Sequence, residues 1–242
     1  MTDESPIVLP DDPSFGDEVQ IDYPGYRSTR LRAPKRPLVT LPESAHSAGG
    51  PVFGDETVSD LDHDLTRQHD GEPLGERIIV AGRVLDEDGK PIRNTLVEVW
   101  QANACGRYKH HVDQHPAPLD PNFSGAGRCL TDDDGSYRFI TVKPGAYPWG
   151  NHENAWRPAH IHFSVFGRAF TQRLVTQMYF PGDPLFRFDP IFNAVRNPAA
   201  RALLVSEFDL DSTKPDWALA FRWNIVLGHG GSGTTPLEEV DG

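Results

Sequence analysis

Cysteine is almost absent. Cys105 and Cys129 are the only two in 242 residues, too few for the disulfide framework of a secreted scaffold and lacking the clustered spacing of a zinc site. Two reduced thiols in a cytoplasmic protein is the reading that remains. Basic residues are also short, 23 against 35 acidic, for a formal net charge of −12. A nucleic-acid binder is usually the reverse, and the acidic balance speaks mainly for solubility. No apolar run comes near the roughly 18 residues of a membrane span, and the opening MTDESPIVLPDDPSFGDE has no apolar segment of a secretory signal. GxSxG, the P-loop and HExxH are all missing, so phosphate-binding and hydrolase readings have no motif to rest on.

Proline and glycine, by contrast, are plentiful at 22 each, which suits many short strands joined by turns. Through residue 75 the prolines break every sustained period, yet VQIDYPGYRSTRLRAPKRPLVTLP is too rich in large apolar side chains for plain disorder. This stretch, 1–75, is expected to be an irregular arm lying over the core or over a partner. From 76 the texture changes. RIIVAGRVL (77–85), TLVEVWQA (95–102), SYRFITV (136–142), HIHFSVFG from 160, RLVTQMYF (173–180) and ALAFRWNIVL (218–227) read as strands. TDDDG (131–135) reads as a hairpin turn. One helix is expected over 198–208, opened by an Asn-Pro pair that supplies an N-cap and a first-turn proline. The fold class is therefore all-β, a β-sandwich over 76–228, with a flexible tail from 229 to 242. The pattern of 77–147 resembles the transthyretin-like sandwich, a scaffold that does not by itself decide function.

DDDG at 132–135 lacks the other ligands of a calcium loop and suits a turn. His63, among acidic residues, and His110, His111 and His115, in a polar loop, read as solvated side chains. His160 and His162 differ, because i and i+2 on a strand point to one face and the two imidazoles look into the same space. Two histidines do not define a metal site, and no carboxylate beside them completes a facial triad. Two tyrosines, Tyr108 in GRYKH and Tyr147 in KPGAYPW, recur after glycines at the ends of strand-like segments; each alone would suit a core.

Taken together, GRY (106–108), PGAYPWG (144–150) and WRPAHIHF (156–163) resemble the core of the intradiol ring-cleaving dioxygenases. GERIIVAGRVLDEDGKPIRNTLVEVWQANACGRY, APLDPNFSGAGRCLTDDDGSYRF and VTQMYFPGDPLF extend the likeness over roughly residues 20–228, nearest to the iron-bearing β chains of the protocatechuate-cleaving branch. The resemblance implies one non-haem Fe(III) per chain, with Tyr108, Tyr147, His160 and His162 as its ligands. Tyr147 would be the ligand that leaves and takes a proton when the catechol binds. It further implies that Arg157 and Gln177 act at the reacting ring and at the dioxygen position. Trp149 and Ile191 would wall the pocket, Trp100 shape the approach, and Tyr26 bond the substrate carboxylate. The implied partners are protocatechuate, O2 and an α chain of the same sandwich fold. A free tyrosine ionises near pH 10, so only a strong local cation holds a phenolate at neutral pH; two phenolates and a hydroxide would balance ferric charge. Catechol and hydroxyquinol 1,2-dioxygenases are the alternative within the family, but they carry a helical N-terminal segment that 1–75 does not provide. A metal-free binding sandwich is the alternative outside it.

Overall fold

The computed structural model describes residues 58–149, 155–167, 173–228 and 233–236. The arm up to residue 57, Tyr26 with it, and most of the tail from 229 lie outside the described residues. The expected strands form close to where the alternation places them. In chain order they are β1 (Arg77–Asp86), β2 (Leu96–Trp100), β3 (Ala126–Leu130), β4 (Ser136–Val142), β5 (Tyr147–Pro148), β6 (Trp156–Arg157), β7 (His160–Phe166), β8 (Arg173–Tyr179), β9 (Glu207–Phe208), β10 (Leu219–Arg222) and β11 (Ile225–Leu227). A 3-10 turn (Phe186–Phe188) and two short helices, α1 (Pro190–Ala194) and α2 (Pro198–Ala202), lie between β8 and β9.

Two sheets carry the core. In the first, β1 is central, antiparallel to β4 on one edge and parallel to β10 and β11 on the other. β10 and β11 keep the same register offset against β1, so the expected strand 218–227 is one strand interrupted at Trp223–Asn224. Gly82 permits the interruption: a Cβ there would sit 1.7 Å from the Trp223 carbonyl oxygen. The freed groups at this step are repaid locally, Trp223 N donating to Ala81 O (2.9 Å) and the Tyr137 hydroxyl to Trp223 O (2.6 Å). The second sheet has the order β3-β2-β7-β8, antiparallel throughout.

Between the sheets lie Val80, Val84, Tyr137 and Phe139 from the first, and Val97, Val99, Ile161, Phe163, Val165 and Met178 from the second. Phe163 is fully buried, with its ring centroid 5.7 Å from Tyr137, 6.3 Å from Phe139 and 4.9 Å from Trp223. A phenylalanine so enclosed is worth about 3–5 kcal/mol against alanine. The alternation that turns Ile161, Phe163 and Val165 into this core turns His160, His162 and Ser164 to the opposite face of the same sheet.

Two expectations need correction. TDDDG is not a hairpin turn, because β3 pairs with β2 and β4 with β1; it carries the chain from one sheet to the other. The Asp132 carboxylate accepts from the backbone of Asp134 (2.9 Å) and Ser136 (2.8 Å), and Gly135 takes a positive φ of 72°. The segment has the residues of a tight turn without the topology of a hairpin. The helix expected over 198–208 ends at Ala202. Its Asn197 cap forms as expected, accepting from Ala199 N at 2.9 Å. Beyond it, i→i−3 bonds tighten the last turn, and Tyr179 then takes over the pairing: its N donates to Leu204 O (2.8 Å) and its O accepts from Ser206 N (2.9 Å). Pairing with β8 overrides helix propensity there. The same Asx-Pro signal at Asp189-Pro190 opens α1, which was not anticipated.

Candidate active site

Cross-strand register assembles the first half of the site. On β7, His160 lies opposite Tyr179 and His162 opposite Gln177 of β8, while Trp100 of β2 lies opposite His162 on the other side. The Trp100 and His162 rings stack at 4.8 Å and 9°. The two imidazoles meet at 4.9 Å between centroids, so the same-face expectation holds. His160 is 2% and His162 4% exposed. Both are sealed from water although they face away from the main core.

The tyrosines come from two loops that glycine lets approach. Asn103 organises the first: its Oδ1 accepts from Cys105 N and Arg107 N (both 2.9 Å), and its Nδ2 donates to Pro118 O (2.9 Å). Gly106 has φ +78°, and a Cβ there would stand 2.2 Å from Ala146 O. Across the gap Gly145 N donates to Asn103 O at 3.0 Å, and a Cβ on Gly145 would stand 2.5 Å from Ala104 O. The loop carrying Tyr108 is thus laid directly on the loop carrying Tyr147, with the two rings edge to face at 5.4 Å. Tyr147 then enters β5, and the ribbon β5–β6 pairs it with Arg157.

Four donor groups from three segments converge. Tyr108 Oη lies 3.0 Å from His162 Nε2, and the Tyr147 ring lies 5.5 Å from that of His160. His160 Nδ1 is 2.7 Å from the Pro158 carbonyl. A carbonyl only accepts, so Nδ1 carries the proton and Nε2 presents a lone pair. Burial, with Arg157 and then His162 as neighbouring positive centres, holds His160 well below the ordinary histidine range, so it stays a neutral imidazole.

Arg157 is completely buried. Burial alone would lower its pKa; the Asp189 carboxylate, with Tyr147 and Tyr179, overrides this and holds the guanidinium charged. Its Nε and Nη2 reach Asp189 Oδ1 (3.3 Å) and Oδ2 (3.1 Å). Nη2 also donates to Gln177 Oε1 and lies 3.1 Å from the Tyr179 hydroxyl. Nη1 is directed at the donors, 3.3 Å from Tyr147 Oη and 3.2 Å from His160 Nε2. Trp149 packs beneath the guanidinium at 5.4 Å, and Ile191 on α1 is buried with its N donating to Asp189 Oδ1 at 3.1 Å.

Nine of the ten expected positions fall among the described residues, and all nine lie around this one locus; Tyr26 is the tenth. Asp189 and Tyr179 were missed. Both are fully buried polar groups wired to Arg157, and an Asp before Pro-Ile-Phe carried no signal beyond its helix cap. His110 and His111 are exposed, as expected. His115 is half-buried instead, its ring 6.4 Å from that of Trp156 and its Nδ1 without a hydrogen-bond partner.

A dioxygenase family model matches residues 48–229, and a model described as the N terminus of the protocatechuate 3,4-dioxygenase beta subunit matches residues 20–44. With the β-sandwich and this locus, they establish that the chain belongs to the intradiol ring-cleavage dioxygenase family. Within that family it is 62% identical to the protocatechuate 3,4-dioxygenase beta chain of Burkholderia cepacia, over 89% of this chain and 92% of that one. It is 28% identical to the protocatechuate 3,4-dioxygenase alpha chain of Pseudomonas putida, over 80% and 96% of the two chains. Among solved structures, a hydroxyquinol 1,2-dioxygenase of Pseudomonas putida superposes with a TM-score of 0.52 at 25% identity, covering 72% of this chain and 63% of that one.

Proposed function

We propose that this chain cleaves the ring of protocatechuate (3,4-dihydroxybenzoate) between its two hydroxylated carbons with O2, giving 3-carboxy-cis,cis-muconate, and that it is the iron-holding β chain of an αβ enzyme. The single observation that carries this reading is the convergence of two half-buried phenols and two buried imidazoles on one locus beside a buried, charged arginine. The donor set fits a ferric ion. Tyr108 Oη and His162 Nε2 are 3.0 Å apart, close enough that one ion would engage both. The proton on His160 Nδ1 leaves a lone pair on Nε2 that would ligate the ion in place of its 3.2 Å contact with Arg157 Nη1, with the Pro158 carbonyl fixing the ring from outside. Arg157 and Asp189 neutralise one another, so two ionised tyrosines need a further cation for the site to remain buried.

Tyr108, Tyr147, His160 and His162 would hold the ion. When bound, it would draw electron density from a chelated catechol and prime the ring carbon for reaction with O2. The protein's own part is positional and protonic. Tyr147 stands at the edge of the set on the short β5 ribbon, where its phenolate oxygen can take a proton from an arriving catechol hydroxyl. Arg157 Nη1, 3.3 Å from that oxygen, stabilises its negative charge before the transfer. His160, with its proton held on Nδ1 by the Pro158 carbonyl, stays neutral and so remains an acceptor at Nε2. Trp149 and Ile191 exclude water from the ring, and Gln177, locked by Arg157, presents its amide toward the place the second substrate must occupy. Both atoms of O2 enter the product, so the reaction balances without a reductant. The likeness to both β and α chains supports an α partner.

The test is turnover of protocatechuate by the iron-loaded αβ protein under 18O2, with the product analysed by mass. Two labelled oxygens in 3-carboxy-cis,cis-muconate is the expected result. Turnover of catechol or hydroxyquinol with no action on protocatechuate would overturn the substrate assignment.

A further inference from the structure

Asp189 has no role in the proposed reaction as described so far, yet its carboxylate is fully buried and engages four groups. Oδ1 accepts from Arg157 Nε (3.3 Å) and from the backbone N of Ile191 (3.1 Å). Oδ2 accepts from Arg157 Nη2 (3.1 Å) and lies 3.1 Å from the Tyr179 hydroxyl. A buried ion pair is weak evidence for stability, because desolvation offsets most of the Coulombic gain. Its geometry is more informative. The two-point contact takes up the Nε and Nη2 side of the guanidinium and leaves Nη1 as the nitrogen that faces Tyr147 Oη and His160 Nε2. A guanidinium is planar and forked, so fixing two of its three nitrogens fixes the direction of the third. The same Oδ1 caps α1, and so sets the position of Ile191 relative to Arg157.

We propose that Asp189 is the positioning residue of the site: it aims Arg157 Nη1 at the reacting oxygen, and its helix cap holds the Ile191 wall in register with that nitrogen. The inference rests on the dioxygenase reading above and names a further residue for it. It separates two functions of one side chain, and Asp189→Asn divides them. The amide keeps Oδ1 for Ile191 N but turns an NH2 toward Arg157 Nη2, so the cap survives while the two-point pairing is lost.

The experiment compares wild type, D189N, R157Q and R157Q/D189N as iron-loaded αβ proteins. Steady-state turnover is measured along with anaerobic binding of 3,4-dihydroxybenzoate and the thermal midpoint of each iron-free form. A misplacement of about 1 Å costs roughly 100-fold in rate. D189N is therefore expected to lose about 100-fold in kcat with binding held within about threefold, and its iron-free midpoint falls because a charge is left unpaired. In the R157Q background the same substitution is expected to change kcat/KM by less than about threefold, since Asp189 acts through the arginine. R157Q/D189N pairs two neutral amides, so this comparison stands even where D189N alone does not fold. A wild-type kcat in D189N, or a further tenfold loss on adding D189N to R157Q, overturns the inference while leaving the dioxygenase reading intact. A wild-type protein without turnover overturns that reading and this inference with it.

Discussion

Replacing Gly106 with alanine tests how the two tyrosines are brought together. The added Cβ would lie 2.2 Å from Ala146 O and 3.2 Å from the Tyr147 Cβ. Ordinary contact begins near 3.5 Å, so the 106–108 loop and the 144–147 loop must part by about 1 Å. The backbone adds a second cost, because φ is +78° and a non-glycine residue pays about 1–2 kcal/mol in the left-handed region. With about 1–3 kcal/mol of overpacking, G106A should lose roughly 2–5 kcal/mol of stability in urea. The functional cost is separate, since moving Tyr147 about 1 Å from Tyr108 should lower kcat by roughly 100-fold and weaken iron retention. The assays are urea unfolding, iron content after loading and dialysis, and steady-state turnover. A G106A protein that keeps one iron per chain and a kcat within threefold of wild type would refute the argument that this glycine sets the spacing.

Other predictions follow from single groups. Burial pushes the Cys129 thiol up to about 12, well above the range of an exposed cysteine. The folded state therefore keeps it neutral where the unfolded chain ionises it, and this contribution to stability is complete below pH 9 and lost between 9 and about 12. Wild type should lose about 1.4 kcal/mol per pH unit more than Cys129→Ala across that window; equal slopes in urea titrations at pH 8, 9.5 and 10.5 would contradict it. His162→Ala removes a proposed ligand and the ring stacked on Trp100, and should weaken iron binding by more than the roughly 10–100-fold that losing an outer partner costs. Unchanged iron content after dialysis would count against the face assigned to β7.

The legible and illegible parts of this protein divide by distance along the chain. His160 and His162 could be placed on one face because strand alternation is local, and the strand around Phe163 announced its own core. Tyr108 and Tyr147 could be noticed but not joined by spacing: their meeting depends on Gly106 and Gly145 lying against each other's loop, a contact between segments some forty residues apart. Their joint meaning came from resemblance to the family. The TDDDG turn was recognised from its residues, yet whether it returns a strand to the same sheet depends on partners far along the chain. The helix at 198 was begun correctly by Asn197 and Pro198 and extended too far, because pairing with Tyr179 leaves no mark in PAARALLVSEF. Asp189 and Tyr179 were invisible for a related reason, since a buried aspartate is identified by its arginine, and the arginine lies 32 residues away.

The central claim is that Tyr108 and Tyr147 bind a ferric ion as phenolates together with His160 and His162. Its most direct test is the visible spectrum of the purified chain, with its α partner, loaded to one ferric ion per β chain. Phenolate-to-iron charge transfer should colour the wild type burgundy, and Tyr108→Phe should bleach most of that band or lose the iron. A colourless wild type at full iron loading, or an unchanged band in Tyr108→Phe, would contradict the claim.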